Sequence, residues 1–343
     1  MNCYEKEIFL YDILFKEYAK YGFHTSFSAK SYHCIRDETL VLEDVTLKNF
    51  RVPERQTFYD MQQVKCLLKA VALFHAAAFA YEKVKSKEMG KPFSIQKEYA
   101  NYVNEIFFTM YTGGTSFGKQ WFDSSKRSFE TFIDQLPKDA EYKESFKKMM
   151  WDAKLGKAFV DETDVRKICG HGDLWSNNML FRFENNVAQE CCLVDYQVFR
   201  YFYPGFDVLL VVYFNTDAAF RSKHANELYQ YYYETLGDIL TSYGFNVEEL
   251  LPLEDFYKGM ELCKLEALMQ VATANALSFI PADMLTKVAN DSMKDETDVE
   301  ASLKNMKQHV SSLAFKNDEK YRKIITENLF DLYDALRERV SED

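Results

Sequence analysis

Two polar loops, each bounded by apolar residues, constrain how this 343-residue chain can fold. The first loop lies within ICGHGDLWSNNMLFRF, residues 168–183, and it carries His171, Asp173 and Asn178. The second begins at Asp195, directly after the apolar run CLV and seventeen residues beyond Asn178. A fold that buries the apolar runs must present these polar groups at the ends of buried segments.

The segment between the two loops predicts a β-hairpin. Apolar-rich runs at 179–183 and from Val187 onward flank Asn185 and Asn186, and asparagine is favoured in tight turns. Because a hairpin brings its two ends together, we expect Asn178 and Asp195 to lie side by side. A loop aspartate near an amide oxygen and a second carboxylate would form a hard-cation site with a base next to it.

Composition and charge narrow the classes of function. A chain of 343 residues can hold two domains or one large domain with a smaller attachment, and 47% hydrophobic residues indicate a folded globular protein. The net charge of −11 without a basic block argues against a nucleic-acid partner. No feature of the sequence indicates an oligomeric state.

Targeting and redox signals favour the cytoplasm. The first residues lack the pattern of a signal peptide, and the longest unbroken apolar run, Val208–Phe214, is too short to cross a membrane. Seven cysteines, an odd number without a Cys-x-x-Cys pair, are typical of reduced thiols. We therefore expect a cytoplasmic protein without a membrane partner.

Apolar periodicity predicts a mainly helical chain around small hairpins. A first hairpin is expected from Ser31–Arg36 and Thr39–Leu42, followed by a polar connector to about Thr57. His75 is expected to be a buried, hydrogen-bonded structural residue, and Trp151 a core anchor. The predicted helices span residues 4–21 (ended by Gly22), 58–85, 94–111, 138–155, 217–243, 253–279, 295–313 and 317–340.

One near-match to a phosphate-binding motif is rejected. The run GGTSFGKQ, residues 113–120, nearly spells G-x-x-x-x-G-K-[ST], but Gln120 stands where the magnesium-binding hydroxyl is needed. The residues before it have a helical pattern, whereas the motif requires a strand. We therefore predict a surface loop between helices at 113–120.

Phosphoryl transfer is the chemistry that the two polar loops suit best. It requires an aspartate facing the acceptor hydroxyl, together with an amide and a carboxylate that hold Mg²⁺ on the nucleotide phosphates. Asp173 and Asn178, five residues apart, can occupy one short loop. Asp195, returned by the hairpin, would complete the metal site.

The motifs also resemble a known family. HGDLWSNN at 171–178 together with LVDYQ at 193–197 is similar to the ecdysteroid kinase-like (CHK kinase-like) family, which is related to aminoglycoside phosphotransferases and choline kinases. LVLED at 40–44 resembles the family's hinge between lobes, and LFHA at 73–76 its first large-lobe helix. YPGFDVL at 203–209 resembles the segment whose aspartate braces the catalytic loop.

The resemblance implies a role for each matching residue, with ATP and Mg²⁺ as cofactors. Asp173 would be the catalytic base, Asn178 and Asp195 would bind Mg²⁺ and the nucleotide phosphates, and the hinge backbone would bind adenine. The hinge residues concerned are Leu42, Glu43, Asp44 and Val45, and the supporting residues are Glu7, His171 and Asp207.

The implied fold is α+β: a protein-kinase-like two-lobe fold with a truncated N-terminal lobe and a large, mainly helical C-terminal lobe. Residues 1–45 would be the remnant of the small lobe, with a helix, a β-hairpin and the hinge, and residues 46–343 the large lobe. Family members carry a phosphate-covering loop and a lysine upstream of this helix, and Glu7 (or Glu5) stands where the lysine's partner is expected. Neither the loop nor the lysine is found in this sequence.

The expected activity is ATP- and Mg²⁺-dependent phosphorylation of a hydroxyl on an ecdysteroid or another lipophilic small molecule. One alternative is a catalytically impaired pseudokinase that binds small molecules, because the lysine and the phosphate-covering strands are missing. A second alternative is a metal-dependent hydrolase that uses His171 and Asp173. It has little support, because such sites usually gather further histidines.

Overall fold

The computed structural model describes residues 3–35, 39–54, 56–103, 105, 108, 117–160, 163–284 and 309–342. They form two compact units, one from residues 1–106 with 158–264 and the other from 107–157 with 265–343. The expected boundary between residues 45 and 46 stays a prediction. The architecture is rich in helix with a few small sheets, which is compatible with the α+β class; the truncated small lobe stays a prediction.

The helices occupy most of the regions with helical periodicity. Five of the predicted helices, at 4–21, 138–155, 217–243, 253–279 and 317–340, lie within three residues of the observed limits, and the helix predicted at 58–85 is observed at Met61–Met89. In chain order the helices are α1 (Cys3–Phe9, continued through the π-helical Leu10–Leu14 into Phe15–Lys20), α2 (Met61–Met89), α3 (Ile95–Glu98), α4 (Ala100–Val103), α5 (Phe117–Ile133), α6 (Ala140–Asp152), α7 (Lys157–Val160), α8 (Pro204–Asn215), α9 (Ala218–Ser242), α10 (Val247–Leu250), α11 (Leu253–Ser278), α12 (309–317) and α13 (Glu319–Glu342).

The end of α1 shows why glycine is needed at residue 22. Gly22 has a φ of +78°, a conformation that costs little free energy because glycine has no Cβ. Its N–H donates to Ala19 and the Phe23 N–H donates to Tyr18, both at 3.0 Å. This pair of bonds is a Schellman motif, so the predicted helix end at Gly22 is confirmed.

The strands form three small antiparallel sheets among the described residues. Both predicted hairpins are confirmed, as β1–β2 and β5–β6, although Arg36 lies outside the described residues. β3 was not predicted; it lies within the supposed polar connector and pairs with β5. The strands are β1 (Ser31–Ile35), β2 (Thr39–Leu42), β3 (Phe50–Arg51), β4 (Ile168–Gly170), β5 (Met179–Glu184), β6 (Val187–Leu193) and β7 (Arg200–Phe202), with sheet orders β1-β2, β3-β5-β6 and β4-β7.

Helix α2 forms the core of the first unit. A capping box of Asp60 and Gln63 fixes its start, and Gly90 in a left-handed conformation follows its last residue. By length and composition α2 could cross a membrane, and 83% of its most apolar window is buried inside the protein. The apolar run Val208–Phe214 is almost entirely buried in α8, as predicted.

Several of the sequence predictions between residues 94 and 155 are wrong. Helix α5 begins at Phe117, so the predicted loop at 113–120 is wrong from that residue onward, and residues 113–116 lie outside the described residues. Trp151 is not a core anchor: it is 38% exposed, and its indole N–H donates to Glu130 Oε1 at 2.8 Å. The predicted helix at 94–111 is replaced, where described, by α3 and α4. Most of the predicted helix at 295–313 lies outside the described residues.

Candidate active site

The β5–β6 hairpin brings Asn178 and Asp195 to the same end of a sheet. Met179 pairs with Leu193 in the register of the two strands. Just beyond this pair, the Val194 N–H donates to the Asn178 carbonyl at 3.0 Å. The expected approach of the two hairpin ends is therefore confirmed.

Asp173 and Asn178 are joined within one loop. Asn178 is buried, and its Nδ2 donates to the backbone carbonyl and to Oδ2 of Asp173, both at 2.9 Å. The 3-10 turn Ser176–Asn178, which begins after Trp175, sets this spacing. Because both amide hydrogens face Asp173, Oδ1 is the polar atom of Asn178 that remains for a cation.

Asp195 extends from a constrained backbone position. Its φ of +64° lies in the left-handed region, which is uncommon for residues other than glycine and recurs at functional sites. The next residue, Tyr196, is fully buried and packs edge-on against Tyr11 and Phe15, with ring centroids 5.6 and 5.3 Å away. This packing fixes the backbone from which the Asp195 carboxylate projects.

The Asp173 carboxyl has a strongly raised pKa. Burial is the main cause and the charge of Asp195 adds to it, giving a pKa of about 7. Arg200, Asn178 and Trp175 act in the opposite direction. A general base is most effective when its pKa lies near the operating pH, so this value suits a group that accepts a proton from a hydroxyl.

His171 connects the Asp173 loop to the end of β6. The ring is fully buried, and Nδ1 accepts the Asp173 backbone N–H at 3.3 Å. The proton must then be on Nε2, which donates to the Val194 carbonyl at 3.0 Å. Burial lowers the pKa of His171, so the ring is neutral at neutral pH. It holds Asp173 and the residue before Asp195 in one arrangement.

Asp207, in the first turn of α8, braces the same loop from the other side. Its carboxylate accepts the backbone N–H groups of His171 at 2.6 Å and Gly172 at 2.9 Å. His75 Nε2 lies 3.1 Å from Asp207 Oδ2, and His75 Nδ1 lies 2.6 Å from Tyr232 Oη. Burial opposes ionisation, but His75, His171 and the Gly172 amide lower the pKa of Asp207. His75 is buried and hydrogen-bonded, as predicted.

Glu7 reaches the segment that follows Asp195. Its Oε1 accepts the Tyr196 backbone N–H at 3.2 Å. Burial raises the pKa of Glu7 to about 6; the Tyr196 bond opposes this rise and the charge of Asp195 adds to it. Glu5, the other candidate, lines a separate cavity of about 210 Å³. Of the two, Glu7 is the one held at the candidate site.

The hinge candidate Leu42–Val45 joins β2 to the 3-10 turn Val45–Lys48. The Glu43 N–H donates to the Lys30 carbonyl at 2.7 Å, so this donor is not available to an adenine ring. The Asp44 carboxylate caps the turn by accepting the Thr46 N–H at 3.0 Å. Adenine recognition by this segment stays a prediction and would have to use its other backbone groups.

A cavity of about 860 Å³ is lined by Glu43 and Val45 together with residues of α1. The residues that line it do not include Asp173, Asn178 or Asp195. The cavity is therefore distinct from the space between the two polar loops.

The donor set fits a magnesium ion that arrives with a nucleotide. Mg²⁺ is usually held by one or two carboxylates, with phosphate oxygens and water completing its shell. Asp195 and Asn178 Oδ1 supply such ligands. In the part of the chain that the structure describes, no three His, Cys, Asp or Glu residues are grouped so as to hold a metal alone. Both nitrogens of His171 bond to backbone groups, which disfavours a hydrolase site built on it.

The sequence reasoning missed Arg200. Its side chain is buried, and its guanidinium pairs with Glu105 at 2.7 Å and donates to the Gly172 carbonyl at 3.3 Å. The available signal was a single arginine within the apolar run VFRYF, residues 198–202. A charge placed in such a run needs partners, because burying it alone is costly.

The comparisons with known proteins agree with these residues. The profile of the ecdysteroid kinase-like family matches residues 1–245, well over half of the chain, and the match includes Glu7, Asp173, Asn178 and Asp195. A comparison with curated protein sequences finds no match. The family implies a protein-kinase-like fold, with which the helix-rich architecture and its small sheets are compatible. The chain therefore belongs to the ecdysteroid kinase-like family.

Proposed function

We propose that this protein is an ATP- and Mg²⁺-dependent phosphotransferase that moves the γ-phosphate to a hydroxyl of a lipophilic small molecule, either an ecdysteroid-like compound or a xenobiotic alcohol. Membership of the family supports kinase-like chemistry in general. The observation that carries the proposal is the direct bond between Asn178 and Asp173 beside the hairpin end that delivers Asp195.

Each residue has a defined task in this reaction. The Asp173 carboxylate orients the acceptor hydroxyl and takes its proton. Asn178 Oδ1 and the Asp195 carboxylate would hold Mg²⁺, which would neutralise charge on the phosphates. His171 and Asp207 keep the Asp173 loop in place through the backbone bonds described above.

The setting of the reaction is part of the proposal. We propose a cytoplasmic enzyme whose partner is a small-molecule hydroxyl acceptor, with neither nucleic acid nor membrane involved. The cysteines whose side chains the structure describes are free: Cys34, Cys66, Cys169, Cys191, Cys192 and Cys263. Their state supports a reducing compartment.

A second candidate is a pseudokinase that binds a small molecule without turnover. It is favoured by the environment of Glu7, which accepts the Tyr196 amide and, among the described residues, forms no ion pair with a lysine. A missing charge contact to the transferred group can cost on the order of 10²–10³ in rate. The two candidates differ in turnover and share the same polar loops.

The test is transfer of γ-labelled phosphate from ATP to a panel of sterol and other lipophilic alcohols in the presence of Mg²⁺. Asp173→Asn is the matched variant, because it keeps the size of the side chain and an acceptor for Asn178. We expect transfer by the native protein and a loss of about 10²–10⁴-fold in the variant. Equal rates would refute the role of Asp173, whereas no transfer by folded protein that binds Mg-ATP would favour the pseudokinase.

A further inference from the structure

The register of β4 and β7 places Arg200 beneath the Asp173 loop. Arg200 pairs with Gly170, the residue just before His171. Only 2% of Arg200 is exposed, so its charge lies inside the protein. A buried guanidinium is retained only where several groups compensate for the loss of water.

The contacts of Arg200 join the Asp173 loop to two other segments of the chain. Nη2 donates to the Gly172 carbonyl at 3.3 Å, Nε donates to the Val198 carbonyl at 3.1 Å, and Nη1 pairs with Glu105 Oε2 at 2.7 Å. The guanidinium also lies 5.2 Å from the centroid of the Phe206 ring, within the range of a cation–π contact. Glu105 thus neutralises the charge of Arg200. The hydrogen bonds of the guanidinium join the Asp173 loop to Val198, in the segment after Asp195.

The peptide bond between Gly172 and Asp173 is held at both of its polar atoms. Arg200 binds the Gly172 carbonyl oxygen, and His171 Nδ1 accepts the Asp173 N–H at 3.3 Å. The preceding amide, Gly172 N–H, is bound by Asp207. Rotation of this peptide would move the Asp173 side chain, so these bonds set where the carboxylate points.

Gly172 and Arg200 are also matched in shape. Gly172 has a φ of +78°, and a Cβ added there would lie 2.7 Å from Arg200 Nε and 2.9 Å from the Val198 carbonyl. The loop can therefore approach the guanidinium only because residue 172 lacks a side chain. This close approach lets the guanidinium bond to the Gly172 and Val198 carbonyls at the same time.

We propose that Arg200 is a positioning residue that fixes the peptide before Asp173 and thereby the direction in which the Asp173 carboxylate points. Its effect on the rate rests on the proposed function, whereas its effect on the order of the Asp173 loop does not.

The test compares Arg200→Met and Arg200→Lys with the native protein by hydrogen exchange of the backbone amides, which requires no turnover. The Asp173 N–H donates to His171 Nδ1, and this bond should slow its exchange in the native protein. In Arg200→Met that amide should exchange about tenfold faster relative to the amides of α2. Unchanged exchange at Asp173 in folded Arg200→Met would overturn the inference.

Arg200→Lys covers the case in which Arg200→Met does not fold. Lysine keeps the charge but lacks the planar fork that reaches the Gly172 and Val198 carbonyls. We expect faster exchange at the Asp173 amide, a kcat for phosphate transfer that is lower by about tenfold or more, and little change in KM for ATP. A native kcat in Arg200→Lys would overturn the positioning role.

Arg166→Met is the matched control, because Arg166 also pairs with a buried carboxylate, Glu82 at 2.6 Å. Its loss should lower stability without selectively accelerating exchange at the Asp173 amide. If the Arg166 variant accelerated that exchange as much as Arg200→Met, the inference would fail. If the native protein transfers no phosphate, the exchange measurement still decides whether Arg200 holds the loop, so failure of the proposed function is recognised separately.

Discussion

Replacing Asp173 with asparagine should stabilise the protein, and increasingly so as the pH rises. The folded-state pKa of Asp173 is about 7, against 3.8 for an unperturbed aspartate. Between these two values the folded protein holds a proton that the unfolded chain has released. Stability therefore falls as the pH rises through this window, and the loss is complete above pH 7. Asparagine carries no such charge and still offers an oxygen to Asn178.

The magnitude follows from the size of the pKa shift. A rise of about three units, at about 1.4 kcal/mol for each unit, corresponds to roughly 4 kcal/mol at pH 8. Asp173 is partly exposed, and solvent screening reduces this value, so we expect the variant to gain about 2–4 kcal/mol. At pH 5 most of the destabilisation caused by the Asp173 charge is absent. The gain in the free energy of unfolding should therefore fall to about 1 kcal/mol.

Urea unfolding at pH 5 and pH 8 without Mg²⁺, followed by tryptophan fluorescence, measures this difference. Asp238→Asn on the exposed face of α9 is the control, because Asp238 makes no hydrogen bond or ion pair among the described residues. The control should change stability equally at both pH values. A variant at Asp173 that is less stable than the native protein at pH 8, or equally stabilised at both pH values, would refute the reasoning.

Three further predictions concern the metal site and the loop. Asp195→Asn should weaken Mg-ATP binding about tenfold or more in titration calorimetry, because the ion loses a charged ligand; native affinity would exclude Asp195 as that ligand. Gly172→Ala should lower Tm more than Gly22→Ala, since both sites have a φ of +78° but only at Gly172 would a Cβ contact neighbouring atoms. An equal decrease in Tm for the two variants would exclude that steric contact. Asp207→Asn should lower the free energy of unfolding in urea by about 3–5 kcal/mol, because the buried carboxylate binds two loop amides. A decrease below about 1 kcal/mol would contradict the role of Asp207 in holding the loop.

The parts of the site that are formed by a single hairpin and its turn could be predicted from the local sequence. The β5–β6 hairpin follows from two apolar runs and an asparagine pair, and Asn185 and Asn186 indeed have φ values of +52° and +63°. The approach of Asn178 and Asp195 is a geometric consequence of that hairpin. The residue roles came from the resemblance and stay predictions, as do ATP and Mg²⁺.

Other features depend on contacts that local patterns do not encode. Strand β3 has only two residues, Phe50 and Arg51, which is too short for a periodic signal. The prediction for Trp151 is wrong because Phe146 and Met150 form the buried stripe of α6, and the indole lies at the edge of that stripe. Arg200 gains its importance from the pairing of β7 with β4, which joins segments about thirty residues apart in the sequence.

The central claim is that Asn178 and Asp195 hold a magnesium-bound nucleotide beside Asp173. Calorimetric titration of the folded 343-residue protein with ATP, in the presence and absence of Mg²⁺, tests it most directly. We expect binding that requires Mg²⁺ and that Asp195→Asn weakens. Binding that ignores both Mg²⁺ and the substitution, or no binding by folded protein, would contradict the assignment.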